Sequence, residues 1–65
     1  MNYHTNHDGE VTSGRLLTAA TRLFAEKGYH ETTIAEICET AEANIASVNY
    51  YFRSKENLYV EAWRH

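Results

Sequence analysis

The sequence predicts an all-α chain, a bundle of three helices followed by the start of a fourth, and three observations carry that expectation. The 65 residues include no proline and three glycines, and 43% of them are hydrophobic, a balance that suits a compact helical domain. Apolar residues recur at helical spacing in successive stretches, each opened by a Ser, Thr or Asn able to cap a helix. No long run alternates apolar with polar residues, so strands have little pattern to form on.

The first helix is predicted from Thr12 or Ser13, either of which can accept a hydrogen bond from the amides of the first turn. Leu16, Ala19, Ala20, Leu23, Phe24 and Lys27 then fall at helical spacing with Leu17 at the edge of the stripe, while Arg15, Thr18, Arg22 and Glu26 lie off it. Gly28 supplies a left-handed stop after Lys27, whose charge suits a helix C-terminus. Residues Met1 to Val11 read as a flexible leader ahead of a single domain. His4, His7 and Asp8 lie in it, but a metal site would need further ligands and a rigid frame.

Thr33 to Thr40 is the second predicted helix. Thr33 and Glu36 have capping-box spacing, and Ile34, Ile37, Cys38 and Ala41 define its buried face. Cys38 reads as a small core residue, because its acidic neighbours Glu36, Glu39 and Glu42 disfavour a reactive thiolate. After a break of about three residues, Asn44 caps a third helix ending near Tyr51. On its wheel Val48, Tyr51 and Phe52 share one side, Ala46, Ser47 and Tyr50 point away, and Ile45 and Asn49 lie on the boundary. So short a helix is unstable alone and must be held by the others, through Val48 and Phe52. Ser54 caps the fourth helix, which has Leu58, Tyr59, Ala62 and Trp63 on its apolar side and suggests a continuation beyond His65.

Composition sets bounds on function. A domain this small buries only about 60% of its unfolded surface, which favours a modest core over a roomy active-site cleft. The single cysteine cannot close an intramolecular disulfide, and no secretory signal or membrane-length apolar run is present; a soluble, cytoplasmic protein without membrane attachment is the default expectation. No cofactor or metal is expected. An enzyme is the poorest class, because no nucleophile, base and orienter are assembled by spacing and no glycine-rich phosphate loop is present.

The net charge of −3, from six Lys and Arg against nine Asp and Glu, does not by itself advertise a nucleic-acid binder. Its distribution says more: Ala43 to Lys55 contains two basic residues and no acidic one, directly after the acidic segment. Two helices joined by a three-residue turn, the second presenting small and polar side chains, fit a helix-turn-helix able to enter a DNA major groove about 12 Å wide. On that reading Ser47 and Asn49 hydrogen-bond base edges, Ile45 and Ala46 touch thymine methyls, and Tyr50, Tyr51, Arg53 and Lys55 hold phosphates. Periodicity alone leaves a rival open, a helical module that docks another protein through Tyr50, Tyr51, Tyr59 and Trp63.

The residues Arg15-Leu16-Leu17, Ala19-Ala20, Leu23 to Tyr29, Thr32-Thr33-Ile34, Ile37 and Val48 to Leu58 resemble the DNA-binding domain of the tetracycline-repressor (TetR) family over most of the chain. The resemblance implies a three-helix, homeodomain-like bundle with a helix-turn-helix, in a bacterial regulator that is usually a repressor. It also implies a homodimer on a palindromic double-stranded operator. In that family a larger helical domain, absent from this sequence, follows the fourth helix, dimerises and binds a small-molecule inducer. Carried over by position, Ile45, Ala46, Ser47, Asn49 and Tyr50 fall on the recognition helix, and Thr33, Tyr50, Tyr51 and Lys55 fall where the family holds phosphates. There are two departures. Glu42 stands where a turn glycine is common, predicting a differently shaped turn and an acid near the DNA face. Asn49 stands in place of a frequent tyrosine, exchanging a phosphate contact for a possible base reader.

Overall fold

The computed structural model describes the backbone of residues 2–64 and the side chains of residues 11–64. Four helices follow in order, α1 (Asn2–Lys27), α2 (Ile34–Ala41), α3 (Ile45–Tyr51) and α4 (Lys55–Arg64). The all-α expectation is met, and the ends of α2, α3 and α4 fall within a residue or two of the sequence reading. The start of α1 does not. It begins at Asn2, so Thr12 and Ser13 lie inside the helix rather than capping it. A 26-residue helix is about 39 Å long, which accounts for the molecule's longest dimension of 40 Å. The side chains of His4, His7 and Asp8 lie outside the described residues.

The core is one cluster to which every helix contributes. Leu16, Ala19, Ala20 and Phe24 of α1 meet Ile37, Cys38 and Ala41 of α2, Val48 and Phe52 at the third helix, and Leu58 and Ala62 of α4. Leu23 and Ile34 are partly buried against it. Lys27 departs from the predicted stripe: it is exposed, and its ammonium turns outward to pair with Glu36. Burial also raises the Cys38 thiol above its usual range, as a core cysteine requires.

Four helix ends are closed by the residues the sequence offered. Gly28 takes a φ of +86° and donates its N–H to the Phe24 carbonyl at 2.8 Å, a left-handed stop for which glycine carries no Cβ penalty. Thr33 and Glu36 form both halves of a capping box, at 3.1 and 3.0 Å. The side chain of Asn44 accepts from the Ser47 N–H at 3.1 Å, and that of Ser54 accepts from the Asn57 N–H at 3.1 Å.

One polar residue inside the core carried no sequence signal. Thr32 is fully buried, and its hydroxyl lies 2.8 Å from the Gly28 carbonyl and 3.1 Å from that of Leu23. A single hydroxyl proton is shared between those two acceptors. It stitches the end of α1 to the strand of turn leading into α2, which keeps a buried polar atom satisfied.

The Lys27 ammonium and then the Thr33 N–H hydrogen-bond the Glu36 carboxylate and hold it below its ordinary value of 4.5. A carboxyl depressed on folding contributes stability above its unfolded pKa and loses it as the pH falls through the lower folded value. Acid titration of stability should therefore steepen below about pH 4.5. Glu36→Gln, which preserves the capping box, should flatten that limb; an unchanged acid limb would show that the pair does not couple to folding.

Candidate nucleic-acid interface

The third helix is held from one side and exposed on the other. Val48 is 1% exposed and Phe52 8%, and these two residues anchor it in the core. At helical spacing Ile45 and Asn49 form one row and Ala46 and Tyr50 the adjoining row. All four are exposed. Ile45 and Tyr50 expose 54% and 77% of their surface, far more than such apolar groups show when they serve a core. The structure thus brings together four of the five residues predicted to read bases.

Ser47, the fifth, is differently placed. It is half-buried beside the turn, and its hydroxyl lies 3.4 Å from the Asn44 Oδ1 that also accepts its N–H. Tyr51 shares a side of the wheel with the buried Val48 and Phe52 but is exposed, as a phosphate holder must be. Its ring meets the edge of Tyr50 at 4.8 Å, so the two tyrosines form one aromatic ledge at the end of α3. Of the three residues on that side of the wheel, Val48 and Phe52 fill the core and Tyr51 stays at its edge.

The candidate phosphate holders lie around this helix. Thr33 is exposed at the start of α2; its oxygen accepts from the Glu36 N–H, a bond that does not consume the hydroxyl proton. Arg53 follows α3 in a left-handed conformation, φ +79°, with its N–H bonded to the Val48 carbonyl at 2.9 Å. That geometry swings the chain into α4 and leaves the guanidinium on the surface. Tyr51 and Arg53 line a common open groove with Asn57.

Lys55 is held rather than loose. Its Nζ lies 4.3 Å from the centre of the Tyr29 ring, a cation–π contact. Tyr29 in turn packs edge-on against Tyr59 at 4.8 Å and stacks on Phe24 at 5.9 Å. The aromatic cluster therefore fixes where the ammonium stands. Sequence placed Tyr29 only in the turn after the first helix, because a contact spanning 26 positions leaves no local trace.

The α2–α3 turn keeps its left-handed shape without glycine. Glu42 adopts φ 57°, ψ 46°, and its N–H closes α2 onto the Cys38 and Glu39 carbonyls. Arg15 of α1 is the missed residue here: its Nε donates to the Ala41 carbonyl at 3.1 Å and a terminal nitrogen to that of Glu42 at 3.5 Å. The same nitrogen stands 3.6 Å from the Glu42 carboxylate.

No cluster of metal-binding side chains occurs among the described residues, and no described helix is long and apolar enough to cross a membrane. Comparison with known proteins identifies this arrangement. Residues 16–62 match the family model for bacterial regulatory proteins of the tetR family. The chain is 46% identical over 52 residues to the HTH-type transcriptional dual regulator CecR of Shigella flexneri, covering 80% of this chain and 23% of that one. It is 38% identical over 47 residues to the HTH-type transcriptional regulator QacR of Staphylococcus aureus, covering 72% and 25%. Among solved structures, a mutant HlyIIR protein superposes with a TM-score of 0.81 at 45% identity, over 85% of this chain and 30% of that one. The chain spans about a quarter of the length of the curated relatives it matches. Its helices, their caps and the matched residues agree: the chain belongs to the tetR family of bacterial regulatory proteins.

Proposed function

We propose that this chain is the DNA-reading part of a ligand-responsive transcription regulator, a repressor that binds a palindromic operator as a homodimer. The observation that carries the reading is the outer face of α3. Four compact or flat side chains, Ile45, Ala46, Asn49 and Tyr50, stand exposed on a helix fastened through its opposite side. A major groove admits such a face, and the amide of Asn49 suits a bidentate contact to adenine. Ser47 serves at its edge. Thr33, Tyr50, Tyr51, Arg53 and Lys55 fix the register on phosphates, which position without specifying.

Two copies joined by a domain beyond this sequence would set their α3 helices in successive major grooves, about 34–36 Å apart. A small molecule that binds that domain and changes the spacing would release the operator, because both half-sites are no longer met together. A single copy with net negative charge binds weakly, having neither the second half-site nor strong general attraction to phosphate.

Fluorescence titration of the full-length protein on an operator selected from random duplexes tests the reading. Tyr50→Ala and Lys55→Ala should each weaken binding, and Lys55→Ala should lower the salt slope by about 0.9, the share of one phosphate contact. Unchanged affinity in both variants would place the reading face elsewhere.

A further inference from the structure

We propose that Arg15 is a positioning residue for DNA binding, acting through Glu42 on the turn that presents α3. The inference rests on the proposed DNA-reading function. Glu42 is the one acidic residue in the α2–α3 turn, and its side chain is 84% exposed. It shares an open groove of about 470 Å³ with Asn44 and Ser47, at the leading end of α3. When that end enters a major groove, the turn comes toward the phosphates, where a bare carboxylate repels the DNA.

Arg15 counters this in two ways. Its guanidinium stands 3.6 Å from the carboxylate and offsets its charge within the same groove. It also donates to the carbonyls of Ala41 and Glu42, the orphan acceptors at the end of α2, where a cation is favourable. Those bonds tie α1 to a turn that adopts a left-handed conformation without glycine, a conformation that a Cβ disfavours. Arg15 thus holds the turn's shape and screens its charge, and it reaches α3 only through that turn.

Three full-length variants test this on the operator duplex selected from random sequence. Arg15→Ala should weaken binding roughly tenfold while leaving the salt slope unchanged, since no phosphate contact is removed. Glu42→Gln alters the charge with almost no change of shape; alone it should tighten binding, and added to Arg15→Ala it should recover most of the loss. An Arg15 that merely stabilises the fold would show no such recovery, because glutamine restores no lost hydrogen bond. Additive effects in the double variant, or a salt slope lowered by about one in both Arg15→Ala backgrounds, would overturn the proposal; the latter would make Arg15 a direct phosphate contact. If Arg15→Ala does not fold, Glu42→Gln decides alone, and unchanged affinity in it would refute the screening. A wild-type protein that selects no duplex would instead refute the DNA-reading function itself.

Discussion

Truncation of Ile37 to alanine is expected to remove a large part of the stability of the 65-residue chain. Ile37 is fully buried in the middle of α2, within the one cluster that joins all four helices. Removing its outer carbons costs the lost transfer free energy and leaves a cavity, together about 2–5 kcal/mol. A domain this size holds in total roughly 3–10 kcal/mol, so the loss takes a large part of its stability. Urea denaturation followed by far-ultraviolet circular dichroism measures it. Ile37→Val, which removes one methyl group, should cost only about 0.5–1.5 kcal/mol. Equal midpoints for the two variants would mean that α2 is not the keystone the packing indicates.

The second large effect separates binding from folding. Ala46 is exposed in the first turn of α3, where an acid interacts favourably with the helix dipole by about 0.3–1 kcal/mol. Ala46→Glu should therefore leave the fold as stable as before, or slightly more so. On DNA the same carboxylate would face base edges and phosphates, and like-charge juxtaposition costs several kcal/mol; operator affinity should fall roughly a hundredfold. A thermal melt and a titration on the full-length protein read the two signs independently. Retained affinity would show that Ala46 does not enter the groove.

Much of this was legible in the sequence because it is local. The caps at Thr33, Asn44 and Ser54 and the stop at Gly28 each rest on residues within four positions of one another, and the structure forms all of them. Spacing turns Ala46 and Tyr50 outward as the structure has them, but it also turns out Ser47, which the structure half-buries. Where contacts cross the fold, the sequence was silent. Nothing beside Glu42 announces that Arg15, 27 positions earlier, supports a left-handed glutamate. The buried hydroxyl of Thr32 is equally invisible, since its neighbours Glu31 and Thr33 are exposed. The start of α1 was missed because a polar stretch without an apolar period gives no reason to extend a helix.

The attachment of α3 by Val48 and Phe52 alone bears on how such proteins diverge. Most single substitutions are harmful because they disturb packing, yet Ile45, Ala46, Asn49 and Tyr50 pack against little and their replacement costs the fold little. Changes at these sites can accumulate and be tested against new DNA sequences without first passing a stability threshold. If α3 reads the operator as proposed, two buried side chains thereby make operator preference one of the most freely inherited variables of the molecule, while the scaffold that presents it stays fixed.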